Sequence, residues 1–157
     1  MSAPARVLAA LAARGETLAT AESLTGGLVA QTLTDVPGAS QVFLGGVVAY
    51  TALLKQQLLG VPAAVVAAHG VVSAETAQAM ASGVRQRLAS TWGIATTGVA
   101  GPSEQEGHPV GTVFVAVSGP LGDAVRQLAL SGDRAEVRAA TCAQVLGLVE
   151  EQLARPE

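Results

Sequence analysis

The chain has 157 residues, of which half are apolar and only 3% aromatic, and its formal net charge is −3. This length suits one domain with a single core filled by Val, Leu and Ala. The charged residues are few and no segment concentrates Lys or Arg, which argues against a nucleic-acid-binding protein. A lone cysteine excludes an intrachain disulfide, and two distant histidines give no metal-ligand spacing.

The first predicted element is a helix over Pro4 to Arg14, with proline in its first turn and Gly15 after its last. The apolar run inside this helix could be mistaken for a signal-peptide core, but its flanks favour a helix of the domain. No apolar run approaches the ~20 residues that a membrane-spanning helix needs. We therefore expect a cytoplasmic protein with no membrane partner.

Extended and helical patterns alternate along the rest of the chain. The predicted elements are a strand over 17–21, a helix over 25–34, a strand over 41–50, a helix from Thr51 to Gly60, a short helix from Pro62 to Gly70, a helix from Ser73 to about Thr91, a strand over 93–97, a loop over 98–109, strands over 110–118 and 124–130, and a helix from Asp133 to about Ala154. The pair Gly45-Gly46 predicts a bulge or a close backbone approach. The order predicts a single α/β domain, a mixed β-sheet of about five strands with helices on both faces.

Polar side chains follow each of the first three predicted strands. Ser23 follows the first strand, Tyr50 ends the second with Lys55 one helical turn beyond it, and Thr97 ends the third. If these strands run parallel, their carboxyl ends meet at one edge of the sheet, where open α/β sheets bind ligands. We therefore expect these side chains to converge.

Ser23 and Lys55 together suggest hydrolytic chemistry. A serine hydroxyl needs a base to take its proton, and with no well-placed histidine the candidate base is Lys55, which must be neutral to act. The hydroxyl of Tyr50 would relay the proton or orient the ammonium. Ser23 would lie on a strand-to-helix turn, where the free first amides of the next helix would form an oxyanion site. Taken singly, the same residues suit a helix cap, a strand-end aromatic and a solvated lysine.

Several features suggest an anionic ligand. Backbone amides of the loop Gly98–Gly111 can face a phosphate, and Arg134 lies in the first turn of the last helix, where an anion would hold it. Hydroxyl donors are available from Thr25, Thr97 and Ser103. The alternative for Arg134 is an ion pair with Asp133 or Glu136. Neither G-x-x-x-x-G-K-[ST] nor G-x-G-x-x-G occurs, which argues against nucleoside triphosphate and dinucleotide chemistry.

An ordered set of motifs closely resembles the CinA C-terminal domain family over about Val7 to Leu153. The motifs are Ala21-Glu22-Ser23-Leu24-Thr25-Gly26-Gly27, Pro37-Gly38-Ala39-Ser40, Gly45-Gly46-Val47-Val48-Ala49-Tyr50 with Lys55, His69-Gly70-Val71-Val72-Ser73, Thr97-Gly98-Val99-Ala100-Gly101-Pro102, Pro109-Val110-Gly111-Thr112-Val113 and Gly132-Asp133-Arg134. The resemblance implies that residues 1–157 form a single domain of this type. It also implies nicotinamide mononucleotide amidohydrolase (deamidase) activity, which yields nicotinate mononucleotide and ammonia.

The resemblance further implies roles for individual residues. Ser23 is the nucleophile, Lys55 the general base and Tyr50 its partner. The implied substrate-binding residues are Thr25, Gly26, Gly27, Thr97, Gly98, Gly101 and Arg134. No cofactor or metal is expected, the partner is the small nucleotide substrate, and the low charge favours a homo-oligomer.

Two positions depart from the family pattern. Leu24 stands where a cysteine is usual, and the segment Ser103–His108 is more acidic, with His108 where lysine is common. The first change leaves the proposed chemistry intact, whereas the second would weaken phosphate affinity. Two other functions stay open: a catalytically silent nucleotide-binding or regulatory domain, and a serine amidase with a different substrate.

Overall fold

The computed structural model describes residues 1–156, which form six α-helices and five β-strands. Their bounds are α1 Ala3–Arg14, β1 Leu18–Glu22, α2 Leu28–Thr34, β2 Phe43–Val48, α3 Ala52–Leu59, α4 Ala63–His69, α5 Ala74–Arg87, β3 Trp92–Gly98, β4 Thr112–Gly119, β5 Gly122–Ala129 and α6 Arg134–Leu153, with a 3₁₀ turn at Ala39–Gln41. The helices begin and end at residues that the sequence indicated. Gly15 and Gly60 are C-caps in the left-handed conformation, and the side chains of Thr51, Ser73 and Asp133 accept hydrogen bonds from backbone amides in the first turns of their helices.

The five strands form one mixed sheet in the order β2-β1-β3-β4-β5. Strand β1 pairs in parallel with both β2 and β3, whereas β3, β4 and β5 pair antiparallel. This arrangement confirms the predicted α/β class and the parallel start of the sheet. The carboxyl ends of β1, β2 and β3 consequently lie along one edge.

Each face of the sheet is covered by helices. One core cluster packs α1, α2 and α6 against the sheet around the fully buried Trp92. The other packs α5 with the ends of α3 and α4 against small side chains such as Ala19 and Ala95. A Cβ at Gly93 would overlap the Ala81 carbonyl oxygen, so α5 lies directly on β3. Small residues in this layer therefore bring the helices close to the sheet.

Some element bounds differ from those predicted. Helix α2 begins at Leu28 rather than Thr25, because the preceding residues form a turn. Helix α5 ends at Arg87 rather than near Thr91, because Thr91 exchanges backbone-to-hydroxyl hydrogen bonds with Thr17. The register of β2 shifts before Gly45, and a Cβ at Gly46 would overlap the Thr20 side chain, which confirms the predicted bulge and close approach.

No helix within residues 1–156 combines the length and the apolar composition that crossing a bilayer requires.

Candidate active site

A cleft opens at the carboxyl edge of the parallel strands. It is lined by Ser23, Leu24, Tyr50, Lys55, Val71, Val72, Thr97, Gly98, Val99, Ala100, Gly101, Ser103, Gln105 and Arg134. The turn after β1, the start of α3, the loop after β3 and the first turn of α6 all contribute side chains. Segments distant in sequence therefore meet at the predicted edge of the sheet.

Lys55 is the centre of this cleft and is only 1% exposed. Its Nζ lies 2.8 Å from Ser23 Oγ, 2.9 Å from the Ala49 carbonyl oxygen and 3.3 Å from the Tyr50 carbonyl oxygen. A solvated surface lysine would hold none of these contacts. Lys55 is thus a buried amine fixed against a serine hydroxyl.

The surroundings of Lys55 favour its neutral form. Burial lowers the pKa of Lys55 to about 8, although the negative charge of Glu106 opposes the shift. A neutral amine has two N–H donors and one lone pair. The carbonyls of Ala49 and Tyr50 accept the two donors, which leaves the lone pair for the hydroxyl proton of Ser23. This geometry suits a lysine that removes the serine proton.

Ser23 lies on the turn between β1 and α2, as predicted, but the oxyanion donors differ from those expected. The buried carboxylate of Glu22 accepts the amides of Gly27, Val29 and Ala30 at 2.8–3.2 Å. The expectation that the first amides of α2 face Ser23 is therefore wrong, because a charged side chain already occupies them. The Leu24 amide, adjacent to the nucleophile, makes no hydrogen bond to any group within residues 1–156.

Tyr50 contributes two different groups to the site. Its carbonyl oxygen accepts from Lys55, although the residue as a whole is 54% exposed. The Tyr50 hydroxyl accepts from Arg134 Nη2 at 2.9 Å, so it does not contact the lysine as the sequence suggested. Arg134 Nη1 also donates to the Gly101 carbonyl at 2.7 Å. Tyr50 and Arg134 together bridge the mouth of the cleft.

The ion-pair alternative for Arg134 is not observed. Asp133 and Glu136 instead form a reciprocal capping box at the start of α6. Arg134 hydrogen-bonds only to neutral oxygens within residues 1–156. Its positive charge is therefore available at the cleft mouth.

The other predicted binding residues divide into two groups. Thr97, Gly98 and Gly101 line the cleft, although the Thr97 hydroxyl already donates to the Val71 carbonyl at 2.7 Å. A second group, Thr25, Gly26 and Gly27, lies outside the lining. Thr25 is fully buried and its hydroxyl contacts that of Thr96 at 2.8 Å. These three residues shape the turn that carries Ser23.

Sequence reasoning did not identify two charged residues beside the site. The carboxylate of Glu106 accepts the amides of Val71 and Val72 at 3.0 and 2.8 Å and so ties the loop after β3 to the residues before α5. Arg138, on α6, donates to carbonyls of the Ser23 turn. Their partners are backbone groups, which leave no residue pattern in a sequence.

Within residues 1–156, no three or more His, Cys, Asp or Glu side chains lie together in a way that would hold a metal ion.

Fold and cleft define the class: an α/β domain with a buried serine–lysine pair at the carboxyl edge of its sheet. The family model described as CinA C-terminal domain matches residues 2–153. The chain belongs to this CinA C-terminal domain family.

Similar proteins and structures agree with this assignment. A CinA-like protein from Frankia casuarinae is 52% identical over 148 residues, 94% of this chain and 34% of that protein. A putative competence-damage inducible protein from Desulforamulus reducens is 52% identical over 127 residues, 81% of this chain and 31% of that protein. This chain thus spans about a third of the length of these curated relatives.

Solved structures show the same fold. A CinA superfamily protein from Klebsiella pneumoniae superposes with a TM-score of 0.94 at 33% identity, covering 97% of this chain and 96% of that one. A competence/damage inducible protein from Agrobacterium tumefaciens gives a TM-score of 0.92 at 33% identity, covering 96% and 93%.

Proposed function

We propose that this domain hydrolyses the carboxamide of nicotinamide mononucleotide to nicotinate mononucleotide and ammonia, in the cytoplasm. The observation that carries the proposal is the 2.8 Å contact between Lys55 Nζ and Ser23 Oγ inside a cleft. A neutral Lys55 donates its two N–H groups to the Ala49 and Tyr50 carbonyls, and its lone pair consequently faces the Ser23 hydroxyl. The choice of nucleotide rests on the motif resemblance and on the free charge of Arg134.

The reaction proceeds in two halves. Ser23 Oγ bonds to the carboxamide carbon while its proton moves to Lys55 Nζ, and that proton then passes to the leaving nitrogen as ammonia departs. Water next attacks the resulting ester, giving a proton to Lys55. Collapse of the second intermediate returns a proton from Lys55 to Ser23 Oγ and releases the carboxylic acid, which loses its proton to water to give the carboxylate. Arg134 would bind the phosphate or ribose at the cleft mouth.

The proposal predicts a pH dependence that one group controls. Because the pKa of Lys55 is about 8 and only its neutral form accepts a proton, kcat is expected to rise about tenfold per pH unit below pH 8 and to level off above it. Lys55 is the only lysine in the chain. Incorporation of ¹⁵N-lysine therefore gives a single Nζ signal, whose titration near pH 8 should match the kinetic profile. A titration near the usual 10.5 would contradict this assignment.

The direct test is incubation of purified, EDTA-treated protein with nicotinamide mononucleotide, with ammonia and nicotinate mononucleotide both quantified. The Ser23→Ala variant is run in parallel. We expect both products in equal amounts from the wild type and none from the variant. Full activity in the Ser23→Ala variant would exclude the serine mechanism.

Two further measurements distinguish the alternative functions. Binding of the nucleotide by isothermal titration without product would favour a silent or regulatory nucleotide-binding domain. A serine amidase of different specificity would neither bind nor hydrolyse nicotinamide mononucleotide. It would instead release ammonia from another amide on a phosphorylated ring. The serine–lysine contact supports a hydrolytic function over the silent one.

We also propose that the chain forms a homo-oligomer. Leu44 and Val48 are about half exposed on β2, which is an edge strand, and Leu53 and Leu58 are similarly exposed on α3. Apolar side chains grouped at an open sheet edge favour association. Size-exclusion chromatography with light scattering should give a mass of at least twice 15.6 kDa, and a monomer mass would contradict this expectation.

A further inference from the structure

We propose that Arg138 is a positioning residue for the hydrolytic reaction: it holds the turn that carries Ser23 so that the Leu24 amide receives the developing oxyanion. This inference rests on the proposed function, because it assigns a role within the same reaction. Leu24 lines the cleft and Arg138 does not. The Arg138 guanidinium therefore contacts the turn and not a ligand bound in the cleft.

The contact between Arg138 and the turn is bidentate. Nε donates to the Leu24 carbonyl at 3.0 Å, and Nη2 donates to the Thr25 carbonyl at 2.9 Å. A guanidinium is planar and presents its donors in a fixed fork, so two successive carbonyls on one arginine fix the orientation of two successive peptide planes. The backbone immediately after Ser23 is thus held from α6.

The turn requires this support because its own sequence is permissive. Gly26 and Gly27 both have positive φ, 58° and 106°. Residues on either side are already held: the Ser23 amide donates to the Thr96 carbonyl at 3.0 Å, and the amides at the start of α2 are held by Glu22. Between these two supports, within residues 1–156, the Leu24 carbonyl accepts only from Arg138, whereas the Thr25 carbonyl also accepts the Leu28 amide at 3.0 Å.

The amide left free by this arrangement is correctly placed in sequence for catalysis. Hydrolases that carry a nucleophile on a strand-to-helix turn use the N–H of the following residue as one oxyanion donor. Here that residue is Leu24, whose amide makes no hydrogen bond within residues 1–156. Donors of this kind act in the transition state rather than in substrate binding. Loss of Arg138 should therefore lower kcat more than it raises KM.

The experiment compares Arg138→Met and Arg138→Lys with Arg85→Met, a partly buried arginine on α5 that makes no side-chain hydrogen bond in residues 1–156. Two readouts are taken. One is kcat and KM for nicotinamide mononucleotide. The other is the rate at which phenylmethanesulfonyl fluoride sulfonylates Ser23, followed by mass spectrometry, with Ser23→Ala as the unlabelled control. In that step an Oγ–S bond forms, the S–F bond breaks, fluoride leaves and Lys55 takes the proton. Thermal unfolding checks that each variant is folded.

We expect Arg138→Met to lower kcat and the sulfonylation rate about tenfold or more, with KM within about twofold of wild type, since removal of an oxyanion donor itself costs about 10²–10³. Arg138→Lys should recover part of the loss and Arg85→Met should match wild type. If the wild type is sulfonylated at Ser23 but does not hydrolyse the nucleotide, the substrate is wrong, and a tenfold slower labelling in Arg138→Met still supports this inference. Folded Arg138→Met with unchanged kcat and labelling, or a wild-type Ser23 that resists labelling, would overturn it.

Discussion

Replacing Lys55 by methionine is expected to lower kcat by about 10³-fold or more, because a positioned base contributes about 10²–10⁴ and the serine acts with it as a unit. Methionine matches the length of the lysine stem but has no proton acceptor for Ser23. The same change should not unfold the protein. A pKa lowered from 10.5 to about 8 corresponds to about 3 kcal/mol of unfavourable free energy in the folded state below pH 8.

The sign of this stability effect follows from linkage. The pKa of Lys55 is lower in the folded state than in the unfolded one. The charged lysine therefore destabilises the folded state by the whole of this free energy below pH 8, and by less as the pH rises toward 10.5. The variant loses this cost but leaves the carbonyls of Ala49 and Tyr50 without their donor, at about 1 kcal/mol each. We therefore expect an unchanged or slightly raised Tm at pH 7, measured by calorimetry.

Lys55→Arg is the matched control for the role of charge. Arginine keeps the positive charge but does not deprotonate in this pH range. If Lys55 acts as a base, both variants are inactive. Activity in Lys55→Arg alone would show that the charge is needed and the base is elsewhere.

Replacing Glu22 by alanine is expected to lower the free energy of unfolding by about 3–5 kcal/mol, because one buried and two part-buried amides lose a charged acceptor. Glu22 is only 2% exposed, so its carboxylate interacts with these amides with little competition from bulk solvent. Urea denaturation followed by circular dichroism measures the change.

Two variants make the Glu22 measurement specific. Glu22→Gln keeps one acceptor oxygen and should cost less than Glu22→Ala. Glu151→Ala removes an exposed carboxylate paired with Arg126 and should cost no more than about 1 kcal/mol, as is usual for a surface ion pair. Equal losses for Glu22→Ala and Glu151→Ala would show that the capping of α2 contributes little.

The order of elements and the edge that carries the cleft could be predicted from sequence because both depend on local patterns. Apolar periodicity, caps such as Thr51 and Ser73, and glycine stops recur at the observed bounds. The approach of Ser23 and Lys55 follows from a general property of parallel strands.

The finer geometry of the site could not be predicted because it depends on which of several possible partners each side chain takes. The first amides of α2 were free in principle, but Glu22, adjacent in sequence, folds back onto them. The Tyr50 hydroxyl had Lys55 within one helical turn, yet it contacts Arg134, 84 residues away. Hydrogen bonds between residues far apart in the chain produce no periodic pattern in the sequence from which they could be predicted.

Arg134, which has no ion-pair partner within residues 1–156, affects the rate at which charged ligands reach the cleft. The chain as a whole is negative at −3, yet the mouth of the cleft presents a guanidinium with no carboxylate partner within residues 1–156. A guanidinium at the cleft mouth attracts small anions from beyond contact distance, and added salt screens that attraction over about 10 Å at 0.1 M. Association rates of phosphorylated ligands should thus fall as ionic strength rises, whereas those of an uncharged nucleoside amide should not.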